Sequence, residues 1–137
     1  MEERKMNREI LFKAKRIDNG EWVEGQYVYI TNPLTEDGKP IKHLICNGTN
    51  IFNDLIDSDT ICQCTGLTDK NDKKIWENDI VELPDEEGYF TCKWEEDAAR
   101  FVMNGDGLTV DFDNYWSYQT EVAGNIFDNP ELLEVDR

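Results

Sequence analysis

Nowhere in these 137 residues does an apolar pattern hold the 3.6-residue period of a helix for long. Aromatic and β-branched residues come instead in short stretches, set apart by clusters of Gly, Asn and Asp, which is the pattern of strands joined by tight turns. The chain is therefore expected to be mainly β, built of small antiparallel sheet or barrel modules with short helical turns. Its length suits one ordinary domain, able to bury about two-thirds of its unfolded surface without metals or disulfides. A single domain over residues 1–137 is expected, open to division into two β subdomains, 6–60 and 61–137.

Local signals place the strands. Ile10 to Ile17 and Glu21 to Ile30 flank Asp18-Asn19-Gly20, and Asn-Gly supplies the positive φ angles of a two-residue hairpin turn. Ile10, Phe12 and Ala14 share one face of the first arm and Lys13 and Lys15 the other, as in a sheet with one face on the core. Two prolines between Thr31 and Pro40 lack ladder donors, so that stretch reads as a loop of roughly ten residues. Ile41 to Cys46 is an expected strand, and Asn50 to Ile56 a single helical turn capped by Asn50. Thr60 to Leu67 and Trp76 to Leu83 read as strands around a polar turn, Asp69 to Lys74. Gly88 to Trp94 and Ala99 to Met103 make a second hairpin, Leu108 to Phe112 returns, and Glu121 to Phe127 is the last strand. Asn129 as cap, Pro130 at the first helical position and apolar Leu132 and Leu133 predict a short terminal helix. Glu24-Gly25-Gln26-Tyr27-Val28 and Glu77-Asn78-Asp79-Ile80-Val81, each after a Trp, read alike and suggest two modules of related shape. A strand rising from a Trp and an acid, then a hairpin with a second Trp, is compatible with a five-stranded SH3-like barrel in the second half.

Charge limits the partners. Thirty Asp and Glu oppose fourteen Lys and Arg, a formal net charge of −16, which repels nucleic acid phosphates and anionic membrane surfaces. No direct nucleic acid binding and no membrane association are expected. The basic cluster Arg4, Lys5, Arg8, Lys13, Lys15 and Arg16 is answered by Glu2, Glu3 and Glu9 and reads as a solvated face. No apolar run approaches the roughly 18 residues of a membrane helix, and no secretion signal is evident, so the expected location is the cytoplasm. Cys46, Cys62, Cys64 and Cys92 are then expected as reduced thiols.

Each catalytic or metal pattern lacks a required group. Asp69 and Asn71 begin a calcium-loop pattern, but Lys73 and Lys74 stand where an oxygen donor and Gly are needed, and Asp111 and Asp113 fail through Tyr115 and Trp116. Pro84-Asp85 with Thr91-Cys92-Lys93 has the outline of a nuclease signature, yet Thr91 replaces its second acid. His43, Cys46, Cys62 and Cys64 are soft ligands, but residues two apart on a strand lie about 6.6 Å apart, awkward for one tetrahedral ion. His43 is the only imidazole, and no motif surrounds any cysteine. Gly105 and Gly107 precede no helix that could hold a phosphate. No catalytic, metal or cofactor-binding residue is assigned, and no cofactor is expected. Trp22, Trp76 and Trp94 are expected in the core. Tyr115, Trp116 and Tyr118 stand in a loop-like stretch with Asn114 and Ser117 and form the candidate interaction surface.

Three segments carry a resemblance. Gln63 through Val81 follows the pattern Q-Y-T-G-L-x-D-K-N-G-K-x-I-Y-E-G-D-I-V, with Cys64, Asp72, Trp76 and Asn78 substituted. Cys92-Lys93-Trp94 stands where a V-x-W-like strand is usual, and Glu121 through Leu133 is close to E-V-I-G-N-I-Y-E-N-P-E-L-L. The chain thus resembles the YopX family of phage proteins, over roughly residues 6 to 135. The resemblance implies a barrel-like β fold in the second half and a phage or prophage accessory protein in a bacterial host. It brings no assigned activity and no catalytic residues. The expected function is a non-enzymatic module binding a host or phage protein, with homo-oligomers allowed. The alternative is an acidic mimic of DNA that inhibits a DNA-binding protein, and a metal-dependent hydrolase using grouped acids such as Asp85, Glu86 and Glu87 or Glu95, Glu96 and Asp97 ranks below both.

Overall fold

The computed structural model of the chain describes residues 10–30, 42–47, 50–52, 56–84, 86–105, 107–112 and 118–134. Its regular structure is almost wholly antiparallel β, with two short 3-10 turns among the described residues. Two compact units divide the chain, Met1–Gln63 and Cys64–Arg137.

In the first unit, strands β1 (Phe12–Lys15), β2 (Trp22–Ile30), β3 (Lys42–Asn47) and β4 (Asn50–Phe52) lie in the order β4-β3-β2-β1. The start of β5 (Cys62–Thr68) adds along β1, through Phe12 opposite Gln63 and Lys13 opposite Cys62. Strand alternation turns Ala14 and Ile45 into a buried cluster with Ile56, against which Phe12, Val23, Tyr27 and Ile61 pack. On the other face the Lys13 and Lys15 ammonium groups lie 4.5 and 5.4 Å from the Trp22 ring centroid. Trp22 is therefore half-buried beneath cations rather than a core residue.

The first hairpin is real, but its turn differs from expectation. Gly20 N–H donates to the Arg16 carbonyl and Arg16 N–H to the Glu21 carbonyl, leaving a loop of residues 17–20. Only Gly20 in it is left-handed, at φ 71°, while Asn19 instead accepts from Glu21 N–H. The expected helical turn over 50–56 is also corrected, because residues 50–52 pair with β3 as β4. A 3-10 turn forms at Ser58–Thr60, where the Asp57 carboxylate accepts from Asp59 N–H. The predicted loop between Thr31 and Pro40 lies outside the described residues.

In the second unit β5 continues and pairs with β6 (Lys74–Trp76), then β7 (Asp79–Glu82), β8 (Phe90–Glu95), β9 (Arg100–Gly105), β10 (Leu108–Asp111) and β11 (Glu121–Asn125) follow. The last five form a sheet in the order β10-β9-β8-β7-β11. Ile75, Val81, Leu83, Phe90, Cys92 and Met103 make its core, with Phe101, Val110, Phe112 and Val122 packed against them. β10 and β11 are its two edges, and among the described residues no pairing joins them. The second half is thus an open sheet and not the closed small barrel expected, since closure needs a ladder between those edges. A 3-10 turn at Pro130–Leu133 ends the described chain, with Pro at its start as expected but no cap from the Asn129 side chain. No helix among the described residues is long and apolar enough to cross a membrane.

The two segments that read alike do not share a conformation. Gly25 lies inside β2, where an added Cβ would collide with the Cys46 carbonyl oxygen of the neighbouring strand. Asn78 instead turns the chain between β6 and β7 at φ 72°.

Candidate functional site

The run from Gln63 to Val81 is built around one buried carboxylate. Asp69 follows β5 at the start of the polar turn and is 0% exposed. Its Oδ1 accepts from the N–H groups of Asn71 (2.8 Å) and Lys73 (2.9 Å), so the side chain closes the turn on itself. Its Oδ2 accepts from Val122 N–H of β11 at 2.9 Å, 53 residues away. Beside it Lys70 N–H donates to the Thr120 carbonyl at 3.0 Å. Burial raises the carboxyl pKa, but the N–H donors of Val122, Lys73 and Asn71, with the Lys73 charge, outweigh it and hold Asp69 below the usual carboxylate range. Asp69 therefore stays ionised at neutral pH, with both oxygens engaged by backbone.

Neighbouring positions serve the same junction. β5 and β6 lose register between Cys64 and Thr68. There the Thr65 hydroxyl donates to the Ile75 carbonyl (2.7 Å) and accepts from Leu67 N–H (3.1 Å), while Gly66 adopts φ 86°. Asp72 and Asn78, two of the four departures from the resemblance pattern, both stand where that pattern has Gly. Both are left-handed, at φ 63° and 72°. Short Asx side chains tolerate this region best after Gly, which explains why these replacements are accepted.

Asn78 joins three segments. Its N–H donates to the Cys92 carbonyl (2.8 Å), its carbonyl accepts from Ile126 N–H (3.1 Å), and its Oδ1 accepts from Lys93 Nζ (2.9 Å). Asp79 is buried with its Oδ2 accepting from Trp76 N–H at 2.9 Å. The end of β11 is locked in the same manner. Asn125 Oδ1 accepts from Phe127 and Asp128 N–H, and Asn129 Oδ1 accepts from Asn125 N–H. Gly124 lies where β11 shifts register, and an added Cβ there would strike the Asn129 side chain. All three resemblance segments are thus joined by hydrogen bonds, with Asp69, Asp79, Asn125 and Asn129 accepting from backbone N–H groups and Asn78 accepting from the Lys93 side chain.

The remaining candidates are dispersed. Tyr118 is 58% exposed, while Tyr115 and Trp116 lie outside the described residues. Trp76 is buried in the second unit, but Trp94 is 41% exposed and so is not the core residue expected. Lys93, the lysine of the nuclease-like outline, donates to Asn78. His43 Nδ1 shares a hydrogen bond with Tyr27 Oη at 2.5 Å. Cys62, Cys64 and Cys92 are buried and Cys46 half-buried, with no disulfide joining them, and Cys62 Sγ donates to the Thr60 carbonyl at 3.3 Å. Among the described residues, no group of three or more His, Cys, Asp and Glu comes together as a metal site. A polar cleft of about 310 Å³ is lined by Lys70, Glu82, Glu86, Gln119 and Glu121. Lys70 Nζ stands 3.3 Å from Glu121 Oε2 there, an exposed pair of small energetic weight. The exposure of Trp94 was missed at the sequence level, because alternation assigns a face but not how far the core extends along it.

This architecture defines a class, mainly β proteins of two antiparallel sheets. Residues 11–134 match the family described as YopX protein, nearly the whole chain, and the chain belongs to the YopX family. It is also similar in fold to the crystal structure of protein EF1440 from Enterococcus faecalis. That similarity has a TM-score of 0.56 and 23% sequence identity, covering 93% of this chain and 99% of the other. Comparison with curated proteins finds no match.

Proposed function

We propose that the chain is a non-enzymatic protein-interaction module, a phage or prophage accessory protein that acts in the bacterial cytoplasm on a host or phage protein. The observation that carries this reading is the pair of exposed aromatics, Tyr118 at 58% and Trp94 at 41%, on a chain of net charge −16. Exposed Trp and Tyr cost water-facing apolar area and are the side chains that interfaces use most effectively. The second half fits an SH3-like module in strand order, since β7 to β10 form a meander and β11 returns beside β7. Affinity capture with the intact tagged chain from host lysate, followed by calorimetry on the purified candidate, tests the reading. A saturable complex of fixed stoichiometry is expected. Absence of any such complex, or turnover of a small substrate by the purified chain, would contradict it.

A second reading, an acidic mimic of DNA, is motivated by the same net charge. It predicts that DNA and this chain compete for one partner, with affinity falling steeply as salt rises. Salt-independent binding with no competition by DNA excludes it.

A further inference from the structure

The β8–β9 hairpin carries an aromatic pair that its own core does not cover. Trp94 lies opposite Phe101, their rings 5.0 Å apart at 68°, edge to face. Cys92 and Met103, one pair further in on the same face, are buried. Phe101 still leans on that core, while Trp94 remains 41% exposed. Thus the apolar face continues past the core to the hairpin end, as an exposed ring held by an edge-to-face neighbour. The ring is stacked in place before anything binds, which lowers the ordering cost of using it as an anchor.

The surroundings narrow the partner. Glu96 and Asp97, both exposed, form the turn beside the ring pair, while Glu95, Arg100 and Asp111 alternate to the opposite face, where Arg100 pairs with Glu95 (3.2 Å) and Asp111 (2.9 Å). Lys93 points its ammonium to Asn78. Phosphates meet repulsion on such a surface. A symmetric contact between two copies would oppose the same carboxylates to each other. A Lys- or Arg-bearing segment meets attraction instead, and guanidinium groups also stack on indole.

Building on the interaction-module reading, we propose that the Trp94–Phe101 pair is a docking surface for a partner-protein segment in which an apolar or guanidinium side chain is flanked by Lys or Arg. The test selects a displayed library of short peptides on the immobilised intact chain and measures synthetic versions of the enriched peptides by fluorescence anisotropy. Enriched peptides are expected to combine basic residues with an aliphatic or aromatic anchor and to bind more weakly as salt rises. Loss of an interface Trp should weaken them at least about tenfold in Trp94→Ala. The double variant Glu96→Lys, Asp97→Lys, at the exposed turn, should weaken them while leaving the circular dichroism spectrum unchanged. The proposal is overturned by no enrichment, by enrichment of acidic or neutral peptides, by equal binding to both variants, or by self-association of the intact chain that Trp94→Ala abolishes. If a lysate partner binds wild type and Trp94→Ala equally, the docking surface fails and the module reading stands. If neither peptide nor partner binds, both fail.

Discussion

Replacing Asp69 by Asn separates the charge and hydrogen bonding of the junction from its shape. Asp69 is fully buried and accepts three backbone N–H groups, at 2.8, 2.9 and 2.9 Å. Asn can keep one oxygen on Asn71 and Lys73, but its amide then presents a donor to Val122 N–H. A hydrogen bond to a charged group contributes about 1.5–3 kcal/mol, and the orphaned buried donor costs about 1–3 kcal/mol more. The expected loss for Asp69→Asn is about 2.5–6 kcal/mol, a large part of the stability of an ordinary domain. Urea unfolding followed by far-UV circular dichroism measures it. The same carboxylate predicts an acid limb. Its pKa is lowered on folding from the ordinary 3.8, so the folded chain binds fewer protons than the unfolded one in that range. The stabilisation is therefore present above about pH 4 and lost as pH falls through the lowered folded value. In Asp69→Asn that increment should be missing. A variant within about 0.5 kcal/mol of wild type, the usual range of surface substitutions, would refute the reasoning.

Four further substitutions probe other claims by the same unfolding assay. Asp72→Gly should stabilise by about 0.5–1 kcal/mol, because φ 63° suits Gly better than Asp, and destabilisation would show that the turn does not need a left-handed residue. Gly25→Ala should cost about 3 kcal/mol, since its Cβ meets the Cys46 carbonyl, and a neutral outcome would place the strands further apart. Trp76→Ala should cost about 3–5 kcal/mol as a core deletion. Trp94→Ala, half in water, should cost less than half as much, and equal costs would return Trp94 to the core.

Much of the second unit was readable from period-two alternation. Phe90, Cys92 and Trp94 against Thr91 and Lys93 located β8, and Phe101 and Met103 located β9, to within two residues. The polar turn from Asp69 to Lys74 was also legible, because Asp and Asn favour side-chain-closed turns. What it closes onto was not. Val122 lies 53 residues from Asp69, and no local pattern encodes a long-range acceptor. The split of Trp76 to Leu83 into β6 and β7 was hidden because Asn78 replaces the Gly that would have announced a left-handed turn. At the first hairpin Asn19-Gly20 pointed to the right place and the wrong loop length, since Arg16 N–H reaches the Glu21 carbonyl at 2.9 Å and closes a four-residue loop. Barrel closure was expected from a strand led by a Trp and an acid, a hairpin with a second Trp and the family resemblance, none of which decides which edges meet.

The junction itself is tested most directly by a carbon-detected NMR titration of the Asp69 carboxyl, with the Asn71, Lys73 and Val122 amides followed in the same samples. The account predicts a midpoint below 3.8, with all three amide resonances moving together with the carboxyl. A midpoint at or above 3.8, or a Val122 amide indifferent to the titration, would contradict it.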